Sequence, residues 1–177
     1  MKRLIAVIFA LAGHTVSAQS PQWRCLDDVR FLIGNWTGHE TGVAGIGHGT
    51  REYQYILDGK YIYATNTSRF EPQERNPSGE VHSDWQFLSC DSVRSKTVLR
   101  QFNSEGYVNQ YTLERPAENV LLFNSEALEN SPEGTRARLT ITLITKDEFE
   151  ELFELAFPGQ DYMEFLRNHW TRDKQPN

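Results

Sequence analysis

Hydrophobic and polar residues alternate in short runs along most of the chain, and turn-forming residues separate the runs. A period of two sets successive side chains on opposite faces and predicts strands rather than helices. Residues 51–57 place Tyr53, Tyr55 and Leu57 on one face against Glu52 and Gln54. Asp58-Gly59 follows, a two-residue hairpin signal because glycine tolerates the positive φ such turns need. Residues 60–70 resume the alternation with Tyr61, Tyr63, Thr65 and Thr67 in phase, and 72–79, with Pro72 and Pro77, reads as a loop. Further strands are expected at 81–90, 97–103, 107–113, 120–127, 135–145 and 162–171. Asp91, Glu105-Gly106, Arg115-Pro116 and Pro132-Glu133-Gly134 fall between them. Segment 147–157 fits a helix by its apolar positions 149, 152, 153, 156 and 157. As a strand, Phe149, Phe153, Leu155 and Phe157 share a face and only Glu151 breaks the pattern. Strands on both sides and the abrupt Pro158-Gly159 stop favour the strand. With 31–37 counted first, ten strands follow a short helical turn over 26–32. Ten consecutive antiparallel strands leave exposed edges unless they close. The expected fold is therefore all-β, a closed up-and-down antiparallel β-barrel.

The chain begins with basic Met1-Lys2-Arg3, an apolar run at 4–12 and the small-residue site Val16-Ser17-Ala18. That is the layout of a signal peptide over 1–18, followed by one domain over 19–177. His14 stands where a lipidated cysteine would be, and no later apolar run is long enough for a transmembrane anchor. The expected location is outside the cytoplasm, periplasmic or secreted. Without Lys2 and Arg3 the chain carries 16 basic and 24 acidic residues, a net charge of −8. This sign of field opposes a nucleic-acid partner. The expected partner is a small apolar or amphipathic ligand, with monomer and homodimer both open. Cys25 and Cys90 are the only cysteines, and export favours a disulfide between them over two buried thiols.

Gly34-Asn35-Trp36, at the opening of the first strand, resembles the Gly-x-Trp motif of lipocalins and fatty-acid-binding proteins. The resemblance implies that Gly34 and Trp36 are structural, with the tryptophan lying across the closed end of the barrel. A narrower likeness rests on residues 32–38, Leu57-Asp58-Gly59-Lys60, His82-Ser83-Asp84-Trp85, Leu99-Arg100-Gln101-Phe102, 105–111, 125–130 and 149–158. These resemble an uncharacterised bacterial family of domain-of-unknown-function proteins with a lipocalin-like (calycin) barrel, over about residues 26–170. That family implies a fold and no settled activity. Nitrobindins, haem proteins with a ten-stranded barrel, share the Gly-x-Trp motif. They imply haem as an alternative cofactor, with His169 as the candidate iron ligand.

Five glycines in residues 38–49 suggest a portal flap over the barrel mouth, or else a plain long hairpin. His39, Glu40, His48 and His82 carry metal-binding atoms, but their spacing matches no metal site and none is expected. Alternation places Arg100 with Phe102, Asn109 with Tyr107 and Tyr111, and Glu126 with Leu122 and Asn124. A barrel this wide holds polar groups, water or ligand. The candidate ligand-binding set is Tyr53, Tyr55, Arg100, Phe102, Asn109, Tyr111 and Glu126, with an inward Arg100 pairing a carboxylate head group. A one-residue slip would instead turn Leu99 and Gln101 inward. The acidic run 147–154 reads as a solvated strand face. No paired acids or nucleophile-elbow motif identify catalytic residues, so binding is preferred and an enzyme acting on a bound small molecule is the alternative.

Overall fold

A computed structural model describes residues 21–174, and the expected signal peptide lies outside the described residues. Two 3-10 turns, Pro21–Leu26 and Arg30–Leu32, precede ten strands. These are β1 (Gly34–Gly42), β2 (Gly45–Ile56), β3 (Tyr61–Phe70), β4 (Glu80–Asp91) and β5 (Lys96–Asn103). They continue as β6 (Val108–Ala117), β7 (Val120–Glu129), β8 (Arg136–Thr145), β9 (Glu148–Ala156) and β10 (Met163–Arg172). Each strand pairs antiparallel with its sequence neighbours, and β10 pairs with β1, so the sheet is a closed barrel. Segment 148–156 is a strand, as its neighbours require.

Two local expectations change. The first strand starts at Gly34 rather than at 31, because Arg30–Leu32 is a 3-10 turn and Gly34 turns the chain with φ 124°. The glycine-rich segment is the plain long hairpin rather than a flap. Only Val43 and Ala44 connect β1 to β2, and Gly45, Gly47 and Gly49 occupy buried positions of β2. A Cβ on Gly49 would lie 2.6 Å from the Trp170 ring, and one on Gly38 would lie 2.7 Å from it. The glycines leave a groove that this indole fills.

One end of the barrel is closed by the N-terminal turns. Leu26, Val29 and Leu32 join Trp36, Phe149 and Trp170 in the core. The Trp36 indole N–H donates to the Leu32 carbonyl at 2.7 Å, and its ring meets Phe149 edge-on at 4.7 Å. The Arg172 guanidinium lies 4.1 Å from the Trp36 ring centroid and donates to the Phe31 and Ile33 carbonyls at 2.6 Å. A disulfide between Cys25 and Cys90 fastens the first turn to β4, with the Cα atoms 5.6 Å apart.

On the outer wall, Tyr63, Trp85, Phe87 and Phe102 form a chain of ring contacts 5.0–6.2 Å apart across β3, β4 and β5. No helix among the described residues is long and apolar enough to cross a membrane.

Candidate functional site

At the end opposite the N-terminal turns the barrel holds a cavity of about 390 Å³. Leu128, Leu139, Phe153 and Leu155, from β7, β8 and β9, give it an apolar wall, extended by Phe70, Phe157 and Phe165 towards the mouth. Across from them stand polar side chains of β1 to β5: Glu40, Arg51, Asn66, Ser68, His82, Asp84, Gln86, Gln101 and Asn103. Glu151 and Asn168 bring the polar surface round onto β9 and β10.

Apart from Gln101 and Asn103, these polar side chains form one hydrogen-bonded network. Arg51 makes a two-pronged contact with Glu151, at 2.7 and 3.1 Å, and donates from Nε to Asn66 at 3.0 Å. It also donates to the Tyr53 hydroxyl at 3.1 Å, and its guanidinium lies 4.3 Å from the Trp170 ring centroid. Asn66 donates to Asp84 at 2.9 Å, Gln86 donates to the other Asp84 oxygen at 2.9 Å, and Ser68 donates to Glu40 at 2.8 Å. Asn168 donates to Glu151 at 3.2 Å. A buried ion pair tolerates the loss of water only when such bonds occupy its remaining lone pairs and protons. Arg51 and Glu151 meet that condition. Two buried acceptors do not: Glu40 Oε2 and Asn168 Oδ1 have no hydrogen-bond partner. Their residues are direct cross-strand partners on β1 and β10, so the two lie side by side in the sheet.

The charges are unevenly tuned. Burial pushes the Glu40 carboxyl up to about 7, against weaker opposition from the Ser68 hydrogen bond and the Arg51 charge. His82 is bonded to Asp84 at 3.3 Å and to Glu105 at 2.8 Å. The Asp84 hydrogen bond above all raises its imidazole to about 9, outweighing burial. Burial acts to raise Asp84, but the His82 bond, the Arg51 charge and the Gln86 amide together hold it below its ordinary range. Tyr53 is pushed up to about 12 by burial.

Of the residues singled out from the sequence, Tyr53, Asn109 and Tyr111 are buried, and Asn109 lines the cavity. Tyr53 belongs to the Arg51 network beneath it. Tyr55 is 47 % exposed near the closed end of the barrel. Arg100 and Phe102 point outward. Arg100 donates to the Ser89 hydroxyl at 3.2 Å and Phe102 packs on Phe87, while Gln101 and Asn103 face in. The phase is thus the slipped one, and the outward aromatic cluster is its cause: Phe102 buries surface against Phe87 on the outside. Glu126 is also outside, bound to Arg94 at 2.5 Å and to Gln110 at 3.1 Å. A bulge between Gln110 and Tyr111 leaves Glu126 without a cross-strand partner and shifts the phase, so that Leu128 faces in. His169 is exposed on the outer face of β10 opposite His39, so it cannot ligate an iron held inside the barrel. Among the described residues no group of three or more His, Cys, Asp or Glu side chains is arranged to hold a metal ion. The acidic run is not wholly solvated either, since Glu151 turns inward to Arg51.

Arg51, Asn66, Asp84, Glu151 and Asn168 were missed as cavity residues, and Glu40 was weighed only as a metal ligand. Glu151 carried a signal, a lone acid in phase with Phe149, Phe153 and Leu155. The others share the inward face of their strands with buried apolar residues, Glu40 with Trp36, Arg51 with Tyr53 and Asn168 with Trp170 among them, but no local pattern marks them as partners.

No family model matches the chain, and no curated protein matches it. The fold has relatives among solved structures. Rv2717c from M. tuberculosis superposes with a TM-score of 0.59 at 14 % identity, covering 85 % of this chain and 98 % of that one. The S-type phycobiliprotein lyase CPES from Guillardia theta superposes with a TM-score of 0.52 at 12 % identity, covering 82 % and 90 %. The likeness is one of fold, a calycin-like barrel.

Proposed function

We propose that this barrel is an exported small-molecule-binding protein that holds an amphipathic ligand in its cavity. The observation that carries the reading is the two-sided interior, an apolar wall on β7 to β9 facing a polar, hydrogen-bonded wall on β1 to β5. A concave apolar site with a few fixed polar groups is the usual form of a ligand pocket, and about 390 Å³ suits a molecule of modest size. The polar groups are held by one another rather than by solvent, so a ligand meets them already oriented. A role outside the cytoplasm agrees with the Cys25–Cys90 disulfide, which persists in an oxidising compartment.

The test is a titration of delipidated protein with Nile red, a neutral apolar dye. Saturable binding is expected. Asn109→Trp, which fills the cavity, should weaken it by about tenfold or more, a change of about 1.4 kcal/mol. Arg100→Ala, on the outer face, should leave it unchanged. Absence of saturable binding, or equal loss in both variants, would overturn the reading.

A further inference from the structure

We propose, resting on the binding reading above, that the ligand's polar head is an organic cation, a primary ammonium group, received by Glu40 and Asn168. Two independent observations lead there. The first is the hydrogen-bond inventory. Every buried donor of the Arg51 network has an acceptor, and among the five buried side-chain atoms without a partner Glu40 Oε2 and Asn168 Oδ1 can only accept, the others being the Trp170 indole N–H and the Tyr111 and Thr135 hydroxyls. Those two acceptors belong to residues paired in register across β1 and β10, so a single donor-rich group can serve both. A carboxylate or phosphate head brings only acceptors and would leave these atoms unsatisfied, at the full cost of burying them. An ammonium group offers three donors.

The second is charge. The cavity is lined by five carboxylates, Glu40, Glu80, Asp84, Glu105 and Glu151, against the single guanidinium of Arg51 and the imidazole of His82. Arg51 is already neutralised by Glu151, and His82 by Asp84 and Glu105. No cation is left over for an anionic head; Glu40 and Glu80 are the acids left without one, and Glu40 is the buried one. The glycine at position 49 helps here, since a Cβ there would occupy the space of the Glu40 carboxylate.

Protonation follows from the same arrangement. The groups facing Glu40 are Arg51 on β2, Ser68 on β3, His82 on β4 and Glu151 on β9. Arg51 stays charged and His82, raised to about 9, stays charged through neutral pH. Glu40, raised to about 7, is the group that changes state there. An ammonium head needs it ionised, so affinity should fall as pH drops below about 7.

Displacement of bound Nile red from the full chain by decylammonium, decanol and decanoate tests this. At pH 8 the ammonium should bind at least about tenfold more tightly than the alcohol, with the carboxylate weakest. Below pH 7 its affinity should drop about tenfold per unit, while that of decanol holds level. Glu40→Gln should abolish both the preference and the pH dependence. Should that variant not fold, the head-group and pH series on the unaltered protein decide alone. Decanol equal to the ammonium, decanoate the tightest, a flat ammonium profile from pH 5 to 8, or no displacement by any of the three would overturn the proposal while leaving the binding reading intact. Failure of Nile red itself to bind would remove the binding reading and this inference with it.

Discussion

Glu40 is fully buried, with one carboxylate oxygen on the Ser68 hydroxyl and the other bare. Its folded value of about 7 exceeds the ordinary 4.5, so the folded chain holds the proton more tightly than the unfolded chain does. Stability therefore falls as pH rises from about 4.5 to about 7, and the full cost, on the order of 3 kcal/mol, is present above that window. Glu40→Gln should raise the denaturant midpoint at pH 8 and leave it nearly unchanged at pH 4. Equal midpoint shifts at both values would show that burial of the charge is not what this side chain costs. His82 acts in the same direction with pH, at a higher window. Its contribution is complete below 6.5 and fades as pH rises through about 9.

Strand β2 shows how an element can be legible in outline and misread in purpose. Gly45-Ile46-Gly47-His48-Gly49 has the period of two that marks a strand, but its inward positions carry no side chain. Glycine weakens a strand and reads as a loop unless a neighbour takes up the space. Here Trp170, Phe70 and the Glu40 carboxylate take it up. Gly49→Ala should cost about 1–3 kcal/mol, the usual penalty for overpacking a filled site. Thermal denaturation measures it, and an unchanged midpoint would mean the indole has room to move. In β9 Glu151, the lone acid in phase with the phenylalanines, is the residue that anchors Arg51, so its departure from pattern marked an inward polar position. In β5 the alternation could not fix the phase, because Thr97, Val98 and Leu99 are buried in succession.

At the scale of the molecule the barrel is closed at one end by its own N-terminus. The disulfide spans 65 residues between the plug and β4. Cross-linking a loop of that length removes unfolded-state entropy worth about 2–4 kcal/mol. Cys25→Ser with Cys90→Ser should lower stability to urea by that amount. Loss of the plug alone would also expose Leu26, Val29 and Leu32, so a smaller effect would mean that apolar packing holds the turn without the covalent link.

The sequence by itself determined that the chain is a closed antiparallel barrel and where most of its strands lie. Those features follow from local periodicity and turn chemistry, which act over a few residues. Only the tertiary structure decided which face of each strand turns inward. A barrel with a polar cavity and aromatic residues on its outer wall inverts the usual rule over part of its height. Arg100, Phe102 and Glu126 therefore look out, while Glu40, Arg51, Asp84 and Glu151 look in. The physical reason is that a hydrogen-bonded network is satisfied by partners far apart in the chain, as Arg51 and Glu151 are by 100 residues. No alternation along one strand records that pairing.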